Sequence, residues 1–234
     1  AICACVGGGS NAIGIMNAFL DDERVNLYGY EAGGNGPESG RHAIRFAPGT
    51  GELGMFQGAK SYLLENPEGQ TLDTYSISAG LDYASVGPEH AWLKDIGRVN
   101  YSWATDQEAM SAFKDLCETE GIIPAIESSH AVAGAYKAAA DLKAKGYEHP
   151  VMIINISGRG DKDMNTAGKW FGYLTDEQAK ALESNGAQGN NAAIGKIIGP
   201  SMLEEGYPKG LTAGLIAAGG TMACIIPPSI VMVV

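Results

Sequence analysis

The chain has 234 residues, of which 45% are hydrophobic and 18% are charged. This composition excludes a disordered chain and a protein built from many membrane spans. A formal net charge of −11 predicts repulsion from phosphate backbones, so we expect no nucleic-acid partner. The 33 glycines show no three-residue period, which indicates loops that need positive φ or close approach to a ligand.

Both ends of the sequence lie inside apolar runs, without an initiator Met or a signal-like leader. From this we expect a fragment of a longer protein. The four cysteines form no C-x-x-C pair, and the four histidines lack metal spacing. These patterns predict buried thiols in a reducing compartment, hence a cytoplasmic protein.

The first predicted elements are strands that alternate with glycine-rich turns and helices. Residues 1–6 predict a buried strand, followed by a glycine run and a helix to about Leu20. Residues 25–31 predict a second strand. Residues 32–58 are rich in loop-forming residues, and residues 76–91 predict loop with short ordered pieces.

Two capping signals mark helices further along the chain. Thr105 with Glu108 forms a capping box, because each side chain can accept a hydrogen bond from the backbone N–H of the other residue at the open end of the helix. Gly121 is a natural stop for that helix. Thr175 with Gln178 predicts the start of another short helix.

Two apolar runs predict further strands. Residues 122–126 predict a short buried strand that contains a proline, and Ser128 or Ser129 can cap a long helix to about residue 145. Residues 151–156 form a continuous apolar run, which suits a parallel strand covered on both faces. The alternation predicts an α/β fold: a three-layer αβα domain with a parallel sheet.

Three polar groups follow predicted strands. The run Gly7-Gly8-Gly9-Ser10-Asn11 offers backbone N–H groups and side-chain donors for a phosphate, or is simply a tight turn. Ser157 and Gly158 end the 151–156 run, where ligands of parallel sheets bind, although a plain polar loop fits as well. Glu127 and Asp82 are either pocket carboxylates or solvent-facing residues.

Four ordered motifs carry a family resemblance: VGGGSNAIG (6–14), YSISAGLDY with SVGPEHA (75–91), EGIIPAIESSHA (120–131) and NISGRGDKD (155–163). Together they resemble the C-terminal half of the tryptophan synthase beta chain, a pyridoxal-phosphate (PLP) enzyme of fold type II, over about residues 1–174. The resemblance implies that the glycine run through Asn11 holds the cofactor phosphate and that Ser157, with Gly158, meets the pyridine nitrogen.

The resemblance also implies the remaining site residues. Glu127 would lie beside the reactive carbon of the cofactor and the incoming indole, and Asp82 would meet the serine hydroxyl or close the site. The backbone carbonyls of four residues resemble those that hold a monovalent cation, K⁺ or Na⁺: Val6, Gly7, Tyr83 and Ser85.

The reaction implied for the whole enzyme is replacement of the hydroxyl of L-serine by indole, which gives L-tryptophan. Its implied partners are an alpha subunit and a second beta chain. In the family the Schiff-base lysine lies upstream of the glycine run, and Lys60, Lys162 and Lys169 match no motif for that role. We therefore expect that this chain alone does not turn over. A related fold type II PLP enzyme remains an alternative.

The last part of the sequence has a different character. Residues 175–191 predict a helix and a polar linker that follow the 1–174 domain. Residues 192–234 are apolar and rich in glycine and proline, and resemble the large permease subunit of a TRAP dicarboxylate transporter. We expect an apolar helical tail of membrane-like character, and a transporter fragment is the alternative interpretation of the chain.

Overall fold

The computed structural model describes residues 1–184, 200, 202–204, 206, 208–210, 212 and 229–233. The chain divides into two units. The first contains Ala1–Ala112, Ile126–Ser157 and Ser229–Val234, and the second contains Phe113–Ala125 and Gly158–Pro228. The division at residues 174 and 191 that the sequence indicated stays a prediction.

Strands and helices alternate along the described chain as the sequence pattern predicts. The strands are β1 (Ile2–Cys5), β2 (Leu27–Ala32), β3 (Glu52–Phe56), β4 (Ala59–Leu63), β5 (Val99–Ala104), β6 (Ile153–Ser157) and β7 (Ser229–Val233). The α-helices are α1 (Ser10–Met16), α2 (Pro88–Asp95), α3 (Asp106–Glu120), α4 (Ile126–Ala144), α5 (Met164–Trp170) and α6 (Asp176–Ser184). Short 3₁₀ turns cover Asn17–Phe19, Pro37–Ser39, Ala79–Leu81 and Gly160–Asp163.

The main sheet lies in the first unit and has the strand order β5-β2-β1-β6-β7. Its first four strands are parallel, with Ile2 opposite both Leu27 on β2 and Ile153 on β6. All four residues of the central strand β1 are buried, as expected for a parallel strand covered on both faces. The predicted α/β class with a parallel sheet is therefore confirmed.

Helices cover both faces of this sheet. On one face Ile2, Ala4 and Val6 join a core with Ala12 and Met16 of α1. On the other face α4 packs against the strands, and Gly134 lies so close to the Tyr30 ring that a Cβ there would be 2.2 Å from it. The alternating side chains of β1 thus contribute to apolar layers on both faces of the sheet.

Both capping boxes form. The Thr105 backbone N–H donates to Glu108 Oε2 (2.8 Å), and the Glu108 N–H donates to Thr105 Oγ1 (3.3 Å). Thr175 and Gln178 make the same reciprocal pair at α6. In the second unit Gly121 ends α3 with φ 66°, as its position predicts.

The prediction of a strand at residues 122–126 is wrong. Residues 121–125 form no regular structure, and α4 begins at Ile126. Pro124 has no N–H to donate to a ladder, and β1 is already paired on both sides. Ser128 and Ser129 therefore do not cap α4; both lie inside it and are fully buried.

Few residues of the 192–234 tail are described. Residues 202–204, 209, 210 and 212 are helical, as expected. Ser229–Val233, in contrast, forms β7, antiparallel to β6 with Ile154 opposite Met232. Its β-branched residues favour a strand, and the edge of β6 supplies the ladder. Among the described helices none is long and apolar enough to cross a membrane. Gly186, whose residue type predicts the end of the helix that begins near Thr175, lies outside the described residues.

Candidate functional site

The glycine run forms the connection from β1 to α1. Gly9 has φ 101°, and a Cβ on it would lie 2.2 Å from Cδ2 of His90. His90 Nε2 is 2.8 Å from the Gly9 carbonyl, and Nδ1 is 2.6 Å from the Tyr101 hydroxyl. Because a carbonyl can only accept, Nε2 carries the proton and Tyr101 donates to Nδ1. Burial lowers the pKa of His90, so a neutral imidazole holds the loop through its hydrogen bond to the Gly9 carbonyl.

A cavity of about 330 Å³ opens at this loop, within the first unit. Its volume falls in the range of about 300–1,000 Å³ that is typical of small-molecule sites. A Cβ on Gly8 would meet no atom within 4 Å, so the loop backbone faces open space there. The cavity is lined by Cys5, Gly7, Gly8, Gly9, Ser10, Asn11, Gly80, Leu81, Tyr83, Glu127 and Ser157.

Most of the predicted site residues therefore meet in one cavity. The glycine run, Ser10, Asn11, Ser157 and Glu127 all line it. Of the residues predicted for catalysis or for the cofactor, two do not: Asp82 is exposed at the end of the 3₁₀ turn, and Gly158 lies outside the lining, next to Ser157 in the chain. Gly158 has φ 74°, so its role here is to turn the backbone sharply after β6.

Ser157 and Asn11 are held by neighbouring polar side chains. The Ser128 hydroxyl donates to the Ser157 carbonyl and lies 3.5 Å from its Oγ. Asn155 donates to Asn11 Oδ1 at 2.9 Å, and Asn11 Nδ2 points at the Cys5 sulfur at 3.8 Å. Burial, with the charge of Glu127, raises the pKa of the Cys5 thiol to about 12. Cys5 is thus a neutral wall of the cavity and not a nucleophile.

Glu127 lies in the first turn of α4, where a negative charge is favoured by the helix dipole. Its Oε1 accepts a hydrogen bond from the Gly80 backbone N–H at 3.0 Å. A Cβ on Gly80 would lie 2.2 Å from this oxygen, so a larger residue there would require the Glu127 side chain to move. Glu127 is half-buried and ties the 79–81 turn to the cavity.

The four carbonyls expected to form a cation cage also converge, and they converge on Arg45. Its Nη1 donates to the carbonyls of Tyr83 (2.6 Å) and Ser85 (3.2 Å). Its Nη2 donates to those of Val6 (3.1 Å) and Gly7 (2.8 Å). The remaining donor, Nε, forms an ion pair with Glu31 Oε1 at 2.7 Å, and both side chains are buried.

Arg45, Glu31 and His90 are the residues that the sequence reasoning missed. Glu31 ends an apolar strand, and Arg45 stands between Ile44 and Phe46. A charge inside such an apolar stretch is a signal for a buried pair, since charged residues are fully buried almost only when paired. Which carbonyls the guanidinium would contact is not visible in the sequence.

The fold and this cavity define an α/β domain with a glycine-lined, polar cavity at the carboxyl end of its central strand, the place where ligands of parallel sheets commonly bind. Comparison with known proteins gives a more specific similarity. Over 177 residues the chain is 60% identical to the tryptophan synthase beta chain of Mycobacterium tuberculosis (strain ATCC 25618 / H37Rv), which is 76% of this chain and 41% of the relative.

Two further relatives carry the same name. The tryptophan synthase beta chain of Mycobacterium leprae (strain TN) is 58% identical over 175 residues, 74% of this chain and 40% of the relative. That of Streptomyces coelicolor is 50% identical over 187 residues, 80% of this chain and 42% of the relative. Most of the chain is thus homologous to tryptophan synthase beta chains and spans about two-fifths of their length.

The end of the chain matches a different family. Residues 184–234 match the model of the DctM component of the tripartite ATP-independent periplasmic transporter. This match agrees with the resemblance seen in the tail, but most of these residues lie outside the described part of the chain. It shows similarity for that segment alone.

Proposed function

We propose that the cavity of the first unit binds pyridoxal 5′-phosphate and that the chain is a fragment of a tryptophan synthase beta chain. The observation that carries the proposal is the meeting of the Gly7–Asn11 run, Ser157 and Glu127 in one cavity. A plain strand-to-helix turn would not require Ser157 and Glu127, which are distant in the sequence, to line the same cavity as the glycine run. The homology to enzymes of that name supports it.

The glycine loop is suited to a phosphate. Its backbone N–H groups are uncovered by side chains, and Ser10 adds an exposed hydroxyl donor. The Asn11 side-chain amide is already engaged by Asn155 and Cys5. We therefore assign Asn11 the task of fixing the loop, with its backbone N–H as the donor to the phosphate.

Ser157 is the residue that would meet the pyridine nitrogen. The Ser128 contact to its carbonyl fixes its backbone, and a neutral hydroxyl does not hold a proton on that nitrogen as an aspartate would. When bound, PLP supplies an electron sink for chemistry at the amino-acid substrate. A ring nitrogen without a proton weakens that sink, which favours elimination and replacement at the β-carbon.

Glu127 is the carboxylate that can hold or move a proton in the cavity. Its Oε1 accepts a hydrogen bond from the Gly80 backbone N–H, which holds the carboxylate at the wall of the cavity. The proposed whole-enzyme reaction joins L-serine and indole to give L-tryptophan and water, with an alpha subunit and a second beta chain as partners. A related PLP enzyme acting on another β-substituted amino acid is the alternative. For Asp82 the proposed role is contact with the serine hydroxyl or closure of the site.

The phosphate assignment can be tested with the chain itself. Titration with PLP should raise the melting temperature saturably, because a ligand that binds only the folded state stabilises it. Ser10→Asp should abolish this rise through repulsion of the phosphate. Asn17→Asp, which adds the same charge at an exposed residue outside the cavity, should leave it intact. An unchanged rise in Ser10→Asp would contradict the assignment.

A further inference from the structure

Arg45 is the most completely paired buried charge in the first unit. All five N–H donors of a guanidinium need acceptors when buried, and here they have them: one on Glu31 and four on the carbonyls of Val6, Gly7, Tyr83 and Ser85. The relative exposure of its side chain is 0%. This pairing compensates the cost of removing the charge from water.

The acceptors are of the kind that hold a hard monovalent cation. Rings of backbone carbonyl oxygens replace the water shell of such ions. In this chain the four carbonyls expected for K⁺ or Na⁺ are the four that accept from Nη1 and Nη2, at 2.6–3.2 Å. A free ion at the same oxygens would overlap the guanidinium, so the residues present do not fit a bound ion.

We infer that the Arg45 guanidinium is a built-in cation that replaces the monovalent ion in this carbonyl cage. The charge is permanent, and Glu31 balances it through Nε and through two backbone N–H bonds, from Arg45 itself (3.0 Å) and from Phe46 (3.0 Å). The carboxylate also fixes the 45–46 segment, so the guanidinium enters the cage preorganised.

The consequence for the cavity is one of positioning. Gly7, whose carbonyl accepts from Nη2 at 2.8 Å, begins the glycine loop, and Tyr83, which accepts from Nη1, lines the same cavity. Arg45 thus joins the loop after β1 to the segment after the 79–81 turn. It is a positioning residue that holds two walls of the site at a fixed separation without an added ion. The inference does not depend on cofactor binding.

The test measures the melting temperature without PLP in chlorides of K⁺, Na⁺ and Cs⁺, with N-methyl-D-glucamine as the inert cation at equal ionic strength. We expect the wild-type chain to melt within about 1 °C in all four, because no site is left for an ion to stabilise. A saturable, ion-specific rise in the wild-type chain would overturn the inference, whatever the variants do.

Arg45→Ala empties the cage and leaves the Glu31 carboxylate beside it. This variant should melt lower in N-methyl-D-glucamine chloride and gain about 5–10 °C at a hundredfold excess of K⁺ or Na⁺ over its dissociation constant. Millimolar guanidinium, far below denaturing levels, should substitute for the metal ion. Arg45→Met, which fills the space without a charge or donors, should melt lower and respond to neither.

A merely structural arginine would give equal losses in the two variants and no rescue. Failure of K⁺, Na⁺ and guanidinium to stabilise or refold Arg45→Ala would therefore also overturn the inference. A failure of PLP binding in the separate titration would leave these results unchanged, so the two proposals can fail independently.

Discussion

Two adjacent glycines of the 7–9 loop should respond differently to substitution by alanine. The change at Gly9 should lower the free energy of unfolding, and the change at Gly8 should weaken ligand binding. In Gly9→Ala the methyl group would lie 2.2 Å from Cδ2 and 2.5 Å from Nε2 of His90. The residue would also keep φ near 101°, which costs a non-glycine residue about 1–2 kcal/mol. His90 must move, and it would lose its two hydrogen bonds, which contribute about 1 kcal/mol each.

The sum is a loss of about 3–4 kcal/mol in the free energy of unfolding. For a chain of this length it corresponds to about 10 °C in melting temperature. Urea unfolding followed by circular dichroism gives the free energy, and the slope with urea should stay unchanged, since the native fold is kept.

Gly8→Ala is the matched control. A Cβ on Gly8 meets nothing within 4 Å, and its φ lies outside the left-handed range, so stability should change by no more than about 0.5 kcal/mol. Its methyl group projects into the cavity, and PLP binding should weaken although the chain stays folded. Equal stability losses in the two variants, or none in Gly9→Ala, would refute the assignment of Gly9 to packing and Gly8 to the ligand.

Three further predictions follow from burial, charge and capping. Burial raises the pKa of Cys5, and of the other two described cysteines, to about 12. In a Cys224→Ser variant, Ellman's reagent at pH 8 should therefore react with these thiols only when the chain unfolds. Fast reaction in the folded chain would contradict this. Burial lowers the pKa of His130 from 6.5 to about 4. The contribution of His130 to the free energy of unfolding is therefore complete above pH 6.5 and is lost as pH falls towards 4, by up to about 3 kcal/mol. His130→Gln should flatten that part of the curve of stability against pH, and an unchanged slope would exclude His130 as its source. Thr105→Ala should cost about 1 kcal/mol in urea unfolding, and Thr175→Ala less, because water can replace the exposed cap of α6; the reverse order would contradict the role of burial.

Local sequence determined much of the architecture. The apolar runs of β1 and β6 predict their burial, and the capping boxes at Thr105 and Thr175 form as the residue types require. These signals depend on neighbours within a few residues, so the sequence alone is enough to predict these elements. The polar residues that follow strands could also be found, because parallel strands bring their carboxyl ends to one edge.

The sequence alone did not show which of these residues share the cavity. Glu127 reaches Gly80 across 47 positions, whereas Asp82 faces solvent although its motif resembles that of a site residue. Only the packed chain decides such contacts.

Residue type and position can also mislead. The 122–126 run is apolar enough for a strand, but both edges of β1 are taken and Pro124 has no N–H. From the sequence, a family resemblance predicted that four carbonyls near the glycine loop hold a cation. Tertiary structure decided that the cation is Arg45, because a guanidinium enters only where a distant loop brings it, with Glu31 placed to balance its charge.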